Sequence, residues 1–222
     1  MQQAAAALPP ESDGLRALGW RAVAIVLTIV AVMAFGYHAI GNWVDPRRAV
    51  SLATPLDRAI PLLPAAIFAY SMVYSSSLYP LFAIRSGRLF LRVAKANAAL
   101  LALSFAIYLA FPVTAVDLRA DVSGLDVTRF AQWGVRTTYA VDPPTNCFPS
   151  LHLAFATLSM LCAGSARPLW GWVALPLVVG IAVSILTMKQ HFIADGVAGV
   201  LLAWAVWRWL VAPDRLERPA GE

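Results

Sequence analysis

The segment Phe148-Pro149-Ser150-Leu151-His152 stands at the head of an apolar run that extends to about residue 165. A second polar segment, Lys189-Gln190-His191-Phe192-Ile193-Ala194-Asp195, stands at the head of another apolar run near the carboxyl end of the chain. Two of the three histidines lie in these two segments. We therefore interpret the chain as one in which two apolar helices begin with residues that can do chemistry.

The composition is that of a membrane protein. Of the 222 residues, 60% are hydrophobic and 13% are charged, whereas soluble domains are about half apolar and a quarter charged. The apolar residues form blocks of about 20, the length that a helix needs to cross the hydrocarbon layer. We predict an all-α polytopic membrane protein with six transmembrane helices, near residues 21–41, 60–83, 91–112, 149–165, 169–188 and 191–212.

The connections between these helices are short except for residues 113–148, which we expect to form a long outer loop between helices 3 and 4. Within it, Ser123-Gly124-Leu125-Asp126 has the form of a helix capping box. Val127, Phe130 and Trp133 then recur at three-residue spacing. The sequence therefore predicts a short helix that lies on the membrane surface with its aromatic side chains in the interface.

The distribution of basic residues sets the expected orientation. Six spans place both termini on one side, and the short basic loop between Arg85 and Lys95 falls on that side. By the positive-inside rule this side is cytoplasmic. We expect a cytoplasmic N-terminal segment 1–20, a membrane catalytic domain 21–212 and a cytoplasmic tail 213–222, in a bacterial inner or plasma membrane with the active site on the outer face.

Two other classes of function are not favoured. The net charge of +5 could indicate a nucleic-acid partner, but the basic residues are spread among the loops and form no patch. A transporter or a non-catalytic lipid-phosphate binding protein remains an alternative for the same polar segments. The middle parts of the six spans contain no Asp, Glu, Lys or Arg, which argues against a transport path.

The fourth helix is predicted to begin at Phe148 or Pro149, because proline suits the first turn of a helix. Ser150 and His152 then lie in that first turn, where free backbone N–H groups and the helix dipole favour an anion. A hydroxyl and an imidazole at this place could bind a phosphate and protonate its leaving oxygen.

His191 and Asp195 are four residues apart at the predicted start of the sixth helix, so we expect them on one helical face. A carboxylate that holds one imidazole nitrogen leaves the other nitrogen free to attack phosphorus. Lys189 is close enough in sequence for its ammonium to reach the same anion. Since helices 4 and 6 run in the same direction, both segments should meet at the outer face.

Some polar residues have a simpler interpretation. A single histidine at a membrane interface is usually structural, and we interpret His38, which has no acidic neighbour in sequence, in that way. The serines and tyrosines of the second span, Tyr70 among them, are expected to serve helix packing. Asp117, Asp121 and Asp142 in the long loop are interpreted as solvated or capping residues.

The two segments resemble the motifs of the type 2 phosphatidic acid phosphatase superfamily, which are K-x6-R-P, P-S-G-H and S-R-x5-H-x3-D. The stretch 149–152 is similar to the second motif, with Leu151 in place of glycine. Ser184, His191 and Asp195 match the third. The resemblance implies six spans, attack by His191 to form a phosphohistidine, His152 as the general acid, and neither metal nor other cofactor.

The chain also departs from these motifs. Ile185 stands where the third motif has arginine, and Lys189 is the expected substitute. Arg85 and Arg92 have the spacing of the first motif but fall on the cytoplasmic side. We therefore expect Arg119, just after the third span, to hold the phosphate together with Ser150 and Lys189.

With these departures, the chain resembles the phosphotransferase branch of the superfamily, which includes inositol phosphorylceramide synthases. The resemblance implies a lipid phosphate or phospholipid as substrate, within a membrane. It leaves open whether water or a lipid alcohol accepts the phospho group.

Overall fold

The computed structural model describes residues 14–76 and 78–212, whose regular elements are helices. Two short 3₁₀ turns, Pro46–Arg48 and Pro64–Ala66, precede α3 and α4. The all-α class predicted from the sequence is confirmed for these residues. The α-helices are α1 (Leu15–Leu18), α2 (Trp20–Trp43), α3 (Pro55–Ala59), α4 (Ile67–Ser76), α5 (Pro80–Ala83), α6 (Gly87–Ala110), α7 (Phe130–Val141), α8 (Leu151–Ala166), α9 (Pro168–Thr187) and α10 (Ile193–Leu210).

Four helices in the described part of the chain are long and apolar enough to cross a membrane, namely α2, α6, α9 and α10. They coincide with the predicted first, third, fifth and sixth spans. Large apolar side chains on α2, such as Leu27 and Phe35, point outward. Lipid would cover such a surface, whereas water would not favour it. The long apolar helices thus indicate a membrane protein.

The predicted fourth span corresponds to α8, an apolar helix of 16 residues. It begins at Leu151, so the predicted start at Phe148 or Pro149 is wrong. The reason is local, because the side chain of Ser150 accepts a hydrogen bond from the Leu153 N–H at 3.4 Å and caps the helix. Pro149 therefore precedes the helix instead of lying in its first turn.

The predicted second span, residues 60–83, is interrupted in the structure. It contains a 3₁₀ turn, the ten-residue α4 and the four-residue α5. Pro64 and Pro80 each stand at the start of a new segment, because proline cannot donate the backbone hydrogen bond that would continue a helix. Six spans thus remain a prediction, with four long helices observed among the described residues.

The long connection 113–148 contains α7, but not where the capping box placed it. The Ser123 N–H binds the Asp121 carboxylate, and the helix begins only after Arg129. Helix α7 packs on the α4 side of the protein, where the rings of Phe130 and Phe68 stack with centroids 5.7 Å apart. The loop is therefore a packed part of the domain, and its outer position stays a prediction.

Helix α8 lies at the centre and packs against α4, α5, α6, α9 and α10. Its small residues let neighbouring backbones come close, as is typical of membrane helices. At the start of α8 the Ser150 N–H donates to the Asp195 carbonyl at 3.0 Å. A Cβ on Gly199 of α10 would lie only 2.6 Å from the Ser150 carbonyl oxygen. The first turns of α8 and α10 are therefore joined at one end of the bundle.

Other predictions fall at the margins of the described chain. Most of the predicted N-terminal segment 1–20, up to residue 13, and the whole tail 213–222 lie outside the described residues.

Cys147 and Cys162 are both free and buried.

We predict that Gly199→Ala destabilises the protein by about 1–3 kcal/mol, the usual cost of overpacking a tight contact. The contact atoms belong to the backbone of Ser150 and Ala154, which cannot turn aside as a side chain could. Thermal unfolding in detergent measures the effect. Gly180→Ala is the matched control, because its Cβ would meet only the Ala69 Cβ, at 3.9 Å. Equal unfolding temperatures for both variants would contradict the assigned close approach.

Candidate active site

His191 lies in the turn between α9 and α10, and its imidazole is buried. Its Nδ1 is 3.0 Å from the Cys147 carbonyl oxygen and 3.3 Å from Oδ2 of Asp195. A carbonyl and a carboxylate oxygen only accept hydrogen bonds, so Nδ1 carries the proton. In the neutral ring Nε2 then has the free lone pair. The arrangement fixes both the orientation and the tautomer of His191.

Asp195 is fully buried in the first turn of α10, and its carboxylate reaches back to the N-cap residue Phe192. Its Oδ2 accepts from the Phe192 N–H at 2.9 Å as well as facing His191. Because α10 begins at Ile193, His191 lies before the helix. The prediction of one shared helical face is wrong, and the contact arises because the chain folds back over the first turn. A carboxylate at this place is favoured by the helix dipole.

His152 in the first turn of α8 faces His191. Its Nδ1 is 3.4 Å from Nε2 of His191, and the ring centroids are 5.4 Å apart. Since Nε2 of His191 carries the lone pair, Nδ1 of His152 is the donor in this contact. The other side of the His152 ring packs on Tyr70, with centroids 4.6 Å apart. The structure thus brings together the three residues His152, His191 and Asp195 that the sequence selected.

Ser150 is buried beside this group, and its hydroxyl is used as the N-cap of α8. A capping hydroxyl accepts from the backbone and still has its own hydrogen to donate. Its predicted role in phosphate binding stays a prediction.

Lys189 is buried, in a turn with a positive φ of 55°. Its Nζ donates to the Asp57 carbonyl at 2.8 Å and the Arg58 carbonyl at 3.3 Å. Burial lowers the pKa of Lys189, and the nearby Asp57 carboxylate partly offsets that effect. The ammonium therefore ties the α3 segment to the site, and its contact with phosphate stays a prediction.

Asp57 secures the same connection from the other side. Its Oδ1 accepts from the Ile193 N–H at 2.8 Å, and Thr54 donates to its Oδ2. Burial raises the pKa of Asp57, but the hydrogen bonds from Thr54 and Ile193 outweigh it and hold the pKa below its ordinary value. Sequence reasoning missed the role of Asp57, because its partner Ile193 lies 136 positions away.

Arg119 is half-buried and faces Gln190, the neighbour of His191. Its Nη2 is 2.7 Å from Oε1 of Gln190, and further N–H groups donate to the carbonyls of Tyr139 and Asp142. These contacts fix Oε1 of the Gln190 amide toward the guanidinium, since arginine only donates. The buried Nε2 of Gln190 then has no partner in the described structure. Sequence reasoning selected Arg119 but missed Gln190.

A cavity of about 250 Å³ lies beside His152, between α2, α4, α7 and α8. Its wall includes His38 and Asp142. The Asp142 carboxylate accepts from the Tyr70 hydroxyl at 3.0 Å. The interpretation of Asp142 as solvated or capping and of Tyr70 as packing alone missed this pair.

Cys147, His191 and Asp195 each offer a ligand atom, and these atoms lie within 4.8 Å of one another. A metal ion would require the Cys147 thiolate. Burial raises the pKa of that thiol well above its ordinary value, and the Asp195 and Asp142 carboxylates add to the effect. Because Nδ1 of His191 is already held by the Cys147 carbonyl and the Asp195 carboxylate, the three residues fit a hydrogen-bonded histidine better than a metal centre.

Comparison with known proteins gives one match. The model of the PAP2 superfamily matches residues 49–209, which is more than half of the chain and includes His152, His191 and Asp195. No curated protein and no solved structure matches the chain significantly. The resemblance seen in its two polar segments is thereby confirmed, and the chain belongs to the PAP2 superfamily.

Proposed function

We propose that this protein is an integral membrane enzyme that cleaves a lipid phosphate ester through a phosphohistidine on His191. It passes the phosphoryl or phospho-headgroup to water or to a lipid alcohol. The observation that carries this proposal is the pair of imidazoles, in which Nε2 of His191 has its lone pair directed at Nδ1 of His152. Superfamily membership supports a phosphatase-type, lipid-related activity.

In the first half of the reaction, Nε2 of His191 attacks phosphorus. The N–P bond forms as the bond between phosphorus and the alcohol oxygen breaks, and His152, which starts this half-reaction as the imidazolium, gives a proton to that oxygen. The imidazole of His191 becomes positively charged, and the Asp195 carboxylate stabilises it. The 3.4 Å contact between the two rings has to open to admit the phosphorus, and the cavity beside His152 leaves space into which the His152 ring can move.

In the second half, the oxygen of water or of a lipid alcohol attacks the phosphohistidine. The new O–P bond forms, the N–P bond breaks, and His152 takes the proton that the attacking oxygen loses. Both histidines return to their starting states. The branch that resembles inositol phosphorylceramide synthases would use the alcohol, and a phosphatase would use water.

The phosphate is held by Arg119 together with Ser150 and Lys189. Contacts to Gln190 and two carbonyls orient the guanidinium against the residue that precedes His191. The unpartnered Nε2 of Gln190 is a further donor that a phosphate oxygen would satisfy. The first turn of α8 adds free N–H groups and the helix dipole. The site lies on the outer face of a bacterial inner or plasma membrane, with both termini in the cytoplasm.

We predict that brief exposure to labelled substrate leaves acid-labile phosphate on His191. His191→Ala should abolish both the label and turnover, while EDTA should leave turnover unchanged. The matched control is Asp121→Asn, which alters an exposed loop carboxylate that accepts from Ser123. Turnover that survives in His191→Ala, or that EDTA removes, would contradict the mechanism, and binding without label would favour a non-catalytic protein.

The acid role of His152 can be tested separately. His152→Ala should lower turnover of an alkyl phosphate by about 10²–10⁴-fold, the usual contribution of a general acid. It should have a much smaller effect on the single-turnover burst of p-nitrophenolate from p-nitrophenyl phosphate, because that leaving group needs no proton and the burst precedes the half-reaction in which His152 is the base. A p-nitrophenolate burst that is slowed as much as cleavage of the alkyl phosphate would show that His152 does not act as the acid.

We predict that Arg119→Lys raises KM for the lipid phosphate by about tenfold, since lysine cannot keep the fork-shaped hydrogen bonds of arginine. Lys189→Met should also raise KM if its ammonium touches the phosphate. The unfolding temperature is measured in parallel, because Lys189 also donates to the carbonyls of Asp57 and Arg58. If KM is unchanged while the unfolding temperature falls, Lys189 holds the α3 segment in place and does not bind the phosphate.

A further inference from the structure

The cavity beside His152 has properties of its own that the proposed phosphate site does not use. Its wall is mostly apolar, with Val30 and Met33 from α2 and Phe155 from α8. Ala34, Tyr74 and Val141 also line it and are exposed at the surface. The cavity therefore opens between helices, where a lipid chain can enter from the side.

One acidic group faces this apolar space. Asp142 lines the cavity, and its carboxylate accepts from Tyr70, whose ring in turn packs on His152. Arg119 donates to the carbonyl oxygen of Asp142 and to Gln190, and forms no ion pair with the carboxylate. No cation among residues 14–76 and 78–212 lies within ion-pair distance of that carboxylate.

The charge decides what the cavity can hold. A half-buried carboxylate that has no cationic partner among the described residues repels an anion, so a phosphate group is disfavoured there. It accepts strongly from a hydroxyl, because a hydrogen bond to a charged group contributes about 1.5–3 kcal/mol. An alcohol with an apolar chain satisfies both the carboxylate and the wall.

We propose that this cavity binds an uncharged lipid alcohol, with the Asp142 carboxylate accepting a hydrogen bond from its free hydroxyl. The inference rests on the proposed function, in which such an alcohol leaves in the first half-reaction and can return as the acceptor in the second. The oxygen of a phosphate ester has no hydrogen to donate. Asp142 thus favours the free alcohol over the esterified one and keeps it next to His152.

Two matched probes test the charge argument, oleyl alcohol and oleate, in nanodiscs of neutral lipid near pH 8. The readout is the mole fraction of each probe that half-maximally changes turnover of p-nitrophenyl phosphate, whether by inhibition or by transfer. In Asp142→Asn we expect the half-maximal mole fraction of oleyl alcohol to rise about tenfold, because its hydrogen-bond acceptor changes from a charged group to a neutral one. The half-maximal mole fraction of oleate should fall in the same variant, because the repelling charge is gone. The proposal would be overturned if the half-maximal mole fractions of both probes moved in the same direction, or if neither of them changed.

Two variants on α2 test the place of binding. Ala34→Trp fills the cavity, whereas Ala39→Trp puts the same bulk on an exposed position of α2 that does not line it. A diazirine analogue of oleyl alcohol is crosslinked in the absence of any phosphate ester. Labelling should fall about tenfold in Ala34→Trp alone, and equal labelling of both variants would refute the site. Since crosslinking needs no turnover, it stays informative if no phosphohistidine forms.

Discussion

The structure of the site depends on the two hydrogen-bond acceptors that hold Nδ1 of His191. Cys147 supplies a backbone carbonyl from the end of the long loop, and Asp195 supplies a carboxylate from the first turn of α10. Neither can donate, so together they fix the tautomer and leave Nε2 as the reactive nitrogen. The Ser150 N–H then donates to the Asp195 carbonyl. The two polar segments are thus one hydrogen-bonded unit.

Close packing of backbones keeps this unit in place. Gly199 admits the Ser150 carbonyl where a Cβ would collide with it. The buried hydroxyl of Tyr108 on α6 donates to the Pro149 carbonyl at 2.9 Å. Buried carbonyls at the start of a helix need such partners, because lipid offers no hydrogen bonds. The elements that carry no catalytic residue, α6 above all, therefore still determine the geometry of the histidines.

Hydropathy was sufficient to predict the four long helices, because a run of about 20 apolar residues is typical of a helix that spans a membrane. The meeting of His152, His191 and Asp195 was also predictable, since two helices of the same direction begin with them. The predicted helix boundaries were wrong where a local interaction outweighed the hydropathy pattern. The Ser150 cap moved the start of α8, and prolines divided the second span into α4 and α5.

Residues that work through distant partners gave no signal in the sequence. Asp142 and Tyr70 are 72 positions apart, and Gln190 is 71 positions from Arg119. Neither pair belongs to a motif, and each residue alone has an ordinary explanation as a loop or helix residue. Only the packing of the long loop against α4 and the start of α10 brings them beside the histidines.

The end of α7 connects the two sides of the site. The carbonyls of Tyr139 and Asp142 accept from Arg119, so the backbone there orients the cation assigned to the phosphate. Asp142 also lines the apolar cavity, and its carboxylate accepts from the Tyr70 hydroxyl. One residue thus presents its backbone to the cation and its charge to the cavity. Because both groups move with the same peptide, a shift of this segment would alter anion binding and alcohol binding together.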